Sequence, residues 1–172
     1  MDIKQVIGDY ELFVKDLLAN QSEAGIDTSG CQLDHLCYRV SSIDEYHDAK
    51  AKLTSLSSTL ATTIHNGREF SIFKLKQPLI VGNQQIPLIE LPTPEPDKPY
   101  ATGLEHAEVV ITEGFKEFCE LHKDTFTHQP DMGSANATAI LTFADKTTIK
   151  FHPISLAEAI VLQGNRFEPV RH

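Results

Sequence analysis

The sequence predicts an α+β fold of two βαβββ-type modules, with an added N-terminal helix. Three observations carry this. A short stretch near residue 35 recurs near residue 106, turn signals follow each copy in the same order, and a proline-rich segment separates the two. The expected organisation is one domain over residues 1–172, with an N-terminal extension (1–30), a first module with its linker (31–100) and a second module (101–172).

Ile3, Val6, Ile7, Tyr10, Phe13, Val14, Leu17 and Leu18 recur at helical spacing, which predicts one amphipathic packing helix ending near Asn20. Leu33 to Val40 follows as a strand, and Ser42-Ile43-Asp44-Glu45 as a capping box opening a helix to about Ser57. Leu60–His65 and Glu69–Leu75 flank Asn66-Gly67, a hairpin signal because both residues tolerate positive φ. A turn at Gly82-Asn83 leads to the strand Gln85–Leu91. PTPEPDKPY (92–100) holds four of the nine prolines and reads as a stiff linker. In the second half Gly103–Ile111 is a strand, and Thr112 is placed to cap a helix carrying Phe115, Phe118, Cys119 and His122. A short strand is expected around Thr125–Gln129. Thr138–Phe143 and Thr147–His152 then pair across 144–146, and Ser155-Leu156-Ala157-Glu158 caps a short terminal helix.

With 24 acidic and 15 basic residues the chain carries a formal charge of −9, which repels phosphate backbones and argues against nucleic acid or anionic membrane as partner. No window is apolar enough to span a bilayer, and the N-terminus lacks the pattern of a secretory signal. Cys31, Cys37 and Cys119 are odd in number and match no CxxC spacing, so a reduced, cytoplasmic protein is expected.

The repeat aligns Leu33-Asp34-His35-Leu36-Cys37-Tyr38-Arg39-Val40 with Leu104-Glu105-His106-Ala107-Glu108-Val109-Val110-Ile111. Strand alternation places His35, Cys37 and Arg39 on one face, and likewise His106 with Glu108, Leu88 with Glu90, and Thr148 with Lys150 and His152. The opposite, apolar faces belong under the helices. On a flat antiparallel sheet the polar faces simply meet solvent. However, Glu90 lies among Leu88, Ile89 and Leu91, and the mixture of Arg39, Glu108 and Lys150 suits a cleft where charges pair. Pattern alone leaves both readings open. Two imidazoles and a carboxylate are a donor set for Zn²⁺, Fe²⁺, Mn²⁺ or Ni²⁺ that leaves room for water and substrate.

The stretches DHLCYRV (34–40), NGREFSIFKL (66–75), LIELPTP (88–94), GLEHAEVV (103–110) and KTTIKFHPISLAEAI (146–160) resemble the YecM family, a branch of the vicinal-oxygen-chelate superfamily. That superfamily includes glyoxalase I, extradiol dioxygenases and bleomycin-resistance proteins. The resemblance implies two βαβββ modules whose mixed sheet curves into a cup, with metal ligands on the first and fourth strands of each module. Carried over by position, the ligands are His35, Glu90 and His106. At the fourth place, where metalloenzymes of the superfamily often have glutamate, this chain reads Thr148-Ile149-Lys150-Phe151-His152, leaving His152 as the candidate fourth ligand and glyoxalase chemistry in doubt.

Glu108 is a candidate general base or an ion-pair partner of Arg39, with the pair preferred. Arg39 and Lys150 are candidate binders of an anionic substrate group, and Cys37 reads as a small buried residue. His47, His65, His122, His128 and His172 read as surface or packing residues. The expected function is a divalent-metal-dependent enzyme of lyase, isomerase or dioxygenase type acting on a small oxygen-rich molecule. The alternatives are a non-enzymatic protein that sequesters a small ligand, and an interaction domain docking a partner through its N-terminal helix. Either a monomer or a homodimer is compatible with two modules in one chain.

Overall fold

In this computed structural model, residues 2–65, 67–98, 100–134 and 137–170 are described. The N-terminal apolar stripe folds as two helices rather than one, α1 (Lys4–Ile7) and α2 (Tyr10–Glu23). Gly8, at φ 85°, takes a backbone conformation that other residues rarely adopt, and the Asp9 carboxylate restarts the helix by accepting from the Leu12 amide at 3.3 Å. Val6, Ile7, Val14 and Leu17 nevertheless bury together, so the periodicity survives the break.

The first half runs β1 (Leu33–Arg39), α3 (Ile43–Leu56), β2 (Ser57–His65), β3 (Arg68–Val81) and β4 (Gln84–Pro92). Ser42 caps α3 through the Glu45 amide. Only half of the expected box forms, because the Glu45 carboxylate turns to Ser41 and Thr102. The β2–β3 hairpin forms as expected, although Asn66 of its turn lies outside the described residues. β3 outlasts its apolar pattern, and a register shift between Lys74 and Leu79 absorbs Pro78.

The second half runs β5 (Gly103–Val110), α4 (Phe115–Leu121), β6 (Ala139–Thr142) and β7 (Thr148–His152). Two expectations shift here. Gly114, at φ 67°, rather than Thr112 precedes α4, and no side chain caps it. The strand expected at Thr125–Gln129 reduces to a single bridge between His128 and Ile140. The chain ends in α5 (Leu156–Leu162), which has the full Ser155–Glu158 capping box, and an unforeseen β8 (Glu168–Pro169).

Among the described residues, eight strands share one mixed sheet in the order β6-β7-β5-β1-β4-β3-β2-β8. The antiparallel β1–β5 pair is central. β4 lies parallel to β1 and β7 parallel to β5, so the two halves are related by a pseudo-twofold near the Leu36–Ala107 pair. Six strand spacings separate β6 from β2, about 29 Å if the sheet were flat. Yet Ile140 of β6 and Thr63 of β2 line one cavity, so the sheet is strongly curved.

The convex side carries the main core. Leu36, Ile89, Leu91, Val109, Ile149 and Phe151 are buried there with residues of α1 to α4. α2 reaches from β3 to β7, and its 14 residues, about 21 Å long, match the roughly 19 Å of four strand spacings. The concave side has its own small cluster, in which Leu156 and Ile160 of α5 pack on Ala61 and Ile72. After β7 the chain therefore crosses the concave side to the first half, where β8 pairs with the β2 edge. Among the described residues, no helix is long and apolar enough to cross a membrane.

Candidate metal centre

The concave face bears the side chains that strand alternation assigned to it. His35 and His106 are buried, and Glu90 lies beside Cys37 in the β1–β4 register. One donor atom from each of His35, Glu90 and His106 lies within 4.8 Å of the others. Some common point is then within about 3 Å of all three, so sub-ångström side-chain adjustment reaches metal–ligand distances near 2.1 Å.

A pair of backbone irregularities sharpens this arrangement. The β1–β5 register shifts between Leu33 and His35, leaving Asp34 as the extra residue, and shifts again at Glu105, the pseudo-symmetric position. In a regular strand the side chains of Asp34 and Glu105 would point away from the adjacent histidines. The bulges re-aim them. Asp34 Oδ2 meets His35 Nδ1 at 2.9 Å, and Glu105 Oε2 meets His106 Nδ1 at 3.2 Å. With Nδ1–H donating to a carboxylate, each neutral imidazole presents its Nε2 lone pair to the cup, the orientation that carboxylates impose on histidine ligands of metals. His35 Nε2 is buried without a hydrogen-bond partner, 3.6 Å from Glu108 Oε1, and would be open to a metal ion once its proton leaves.

Glu108 also enters this centre. Its Oε1 lies 3.6 Å from His35 Nε2, 3.4 Å from His106 Nε2 and 3.1 Å from Lys150 Nζ, while Oε2 lies 2.8 Å from His152 Nε2. The preferred Arg39–Glu108 pair does not form. Arg39 instead bonds Glu105 and stacks over Tyr100 at 4.6 Å, because the bulge brings Glu105 closer. His152 sits behind Glu108, with Nδ1 3.3 Å from Thr138 Oγ1, and is outside the three-residue group. The β5–β7 register explains why. Glu90 pairs with Cys37 as Lys150 pairs with Glu108, so Lys150 and not His152 is the symmetry mate of Glu90. Its Nζ lies 3.0 Å from His106 Nε2.

The electrostatics favour a cation. Among the described residues, Asp34, Glu90, Glu105 and Glu108 face two permanent cations, Arg39 and Lys150. Burial disfavours the His35 imidazolium, yet Glu108, Asp34 and Glu90 outweigh it and push the group up to about 10. Burial likewise opposes ionisation of Glu105, but His106 and Arg39 hold it down to about 2. Burial resists charging Glu108 too, and His35 and Lys150 still keep it well below the ordinary carboxylate value. Cys37, wholly buried beside Glu90, is pushed well above an ordinary thiol, which leaves it inert.

Around this floor lies a cavity of about 450 Å³. Phe70, Ile72, Leu156 and Ile160 contribute an apolar wall, and Arg39, Lys150, His152 and His128 contribute polar groups. His65 and His128, read from sequence as surface or packing residues, line this cavity; no local spacing signalled it. His47 packs edge-on to Tyr46 and His122 against Phe118, while His172 lies outside the described residues. A second group, Cys37, Glu105 and His106, also has donor atoms within 4.8 Å of one another, but Glu105 Oε2 already accepts from both Arg39 Nε and His106 Nδ1.

Known proteins resemble the chain in sequence and in fold. Protein YecM of Escherichia coli (strain K12) is 25% identical, over 92% of this chain and 93% of its own. A solved structural-genomics protein, Protein EC4020, superposes with a TM-score of 0.77 at 24% identity, covering 93% of this chain and 92% of that one. At the level of fold alone, a methylmalonyl-CoA epimerase solved in complex with methylmalonyl-CoA and NH4+ matches with a TM-score of 0.51 and 12% identity, over 74% of this chain and 96% of that one. The model of the YecM protein family matches residues 2–140, and the chain belongs to that family, with a vicinal-oxygen-chelate-like fold.

Proposed function

We propose that the cup holds a divalent metal ion through His35 Nε2, His106 Nε2 and the Glu90 carboxylate, and presents it to a small oxygen-rich molecule. The observation that carries this reading is the pair of bulged carboxylates, which hold both Nδ1 atoms and leave His106 Nε2 3.6 Å from Glu90 and His35 Nε2 3.6 Å from Glu108. The excess of carboxylates over fixed cations supports it, because a divalent ion neutralises what Arg39 and Lys150 leave unbalanced. When bound, the metal supplies Lewis acidity toward substrate oxygens.

The chain's own groups do the rest. Glu108 is placed to hold or pass a proton, with one oxygen toward the histidine pair and the other on His152. Phe70, Ile72, Leu156 and Ile160 exclude water from one side of the cavity. A second reading, ligand sequestration without turnover, draws on one specific feature: the fourth ligand place holds Lys150 rather than a carboxylate that could shuttle protons.

The test is metal content after purification without chelators or nickel resin. Wild type is expected to hold close to one ion per chain, and His35→Ala/His106→Ala none. Equal, negligible contents in both would overturn the proposal. Glu90→Ala is expected to lose metal in the catalytic reading, and to lose ligand while metal matters little in the sequestering one.

A further inference from the structure

Lys150 lies where the pseudo-twofold would place a fourth ligand, and its ammonium cannot coordinate a cation. Among the described residues its Nζ meets Glu108 Oε1 at 3.1 Å and His106 Nε2 at 3.0 Å. An ammonium has three N–H donors. A metal ion at His106 Nε2 takes the lone pair that Lys150 now uses, so metal binding frees donor capacity beside the open side of the ion. Arg39 is the other cation of the cavity, but Glu105 and the Tyr100 ring hold it.

We propose that the cup's ligand is a small monocarboxylic acid with an oxygen on the adjacent carbon and an apolar body, whose carboxylate is received by Lys150. This rests on the metal reading above and names the class of molecule for that site. Three features choose the class. A 2-oxo or 2-hydroxy acid offers neighbouring oxygens to a metal ion and still has a carboxylate oxygen for the ammonium. Glu90 and Glu108 flank the same point, so a dianionic phosphate is repelled more than a single carboxylate. The apolar wall of Phe70, Ile72, Leu156 and Ile160 gives a branched or aromatic body a place to bury.

The experiment is calorimetric titration of the manganese-loaded chain with 4-methyl-2-oxopentanoate, its neutral amide, and inorganic phosphate. The acid is expected to bind about tenfold or more tightly than the amide and more tightly than phosphate, as a charge-assisted hydrogen bond implies. Lys150→Met is expected to bring the acid down to the level of the amide while manganese is still taken up, and Lys150→Arg to recover part of the difference. Equal affinity for acid and amide, tighter binding of phosphate, or an undiminished acid preference in Lys150→Met overturns the proposal and leaves the metal site standing. Failure of the wild-type chain to take up any divalent metal overturns both. The comparison of acid with amide in the wild-type chain stands on its own if Lys150→Met fails to fold.

Discussion

Substitution of Asp34 isolates the orientation of one imidazole without touching a ligand. Asp34 Oδ2 accepts from His35 Nδ1 at 2.9 Å and from the Leu156 amide at 2.9 Å, with its side chain only 11% exposed. Asp34→Asn keeps an acceptor oxygen for both donors and removes only the charge. Hydrogen bonds to charged groups contribute about 1.5–3 kcal/mol against about 0.5–1.5 for neutral ones, so the His35 bond weakens by about 1.4 kcal/mol, close to tenfold in metal affinity once corrected for the proton that His35 gives up. Asp34→Ala removes the acceptor altogether and lets the ring turn, which places its loss near the upper end of the roughly 10–100-fold range for such partners. The amide of Leu156 at the start of α5 loses its acceptor in the alanine variant as well, lowering stability by about 1 kcal/mol. Metal affinity is read by competition with a chromophoric chelator, and stability by thermal melting of the metal-free chain. If both variants bind metal within about twofold of wild type while remaining folded, Asp34 does not orient a ligand and the reasoning fails.

Two further perturbations follow from the same geometry. Because His35 is pushed up to about 10, the metal-free chain carries a proton there at neutral pH that metal must displace, so affinity should climb by up to about tenfold per pH unit between 6.5 and about 10, with proton release visible in buffers of different ionisation enthalpy. Affinity that levels off by pH 7 would contradict this. The sign for stability is opposite: the raised His35 contribution is complete below 6.5 and is lost as pH rises through about 10, so the metal-free melting temperature should fall across that window. Phe73→Ala empties a fully buried site on the convex side and should cost about 3–5 kcal/mol in chemical denaturation, whereas a loss below about 1 kcal/mol would mean the core is not packed as described.

The repeated motif and strand alternation made most of this architecture legible. Alternation alone put His35, Glu90, His106, Glu108 and Lys150 on one face, since side-chain period is fixed by the backbone. What it hid came from departures from that period. Asp34 and Glu105 read as residues of the opposite face, and only the bulges bring them onto the histidines. Parity cannot distinguish Lys150 from His152 as the counterpart of Glu90; register can, and it pairs Lys150 with Glu108 as Glu90 pairs with Cys37. The Gly8-Asp9 break was written in the sequence as a stop followed by a cap, but a continuous apolar stripe masked it. His128 and β8 were beyond reach, since a single bridge and a two-residue strand have no periodicity to read.

The most direct measurement is anomalous diffraction from crystals of the chain grown with manganese or zinc. One anomalous peak within about 2.3 Å of His35 Nε2, His106 Nε2 and a Glu90 carboxylate oxygen, with Lys150 turned away from His106, is the expected result. A fully soaked crystal with no peak there, and Lys150 still bonded to His106 Nε2, would contradict the metal-binding claim.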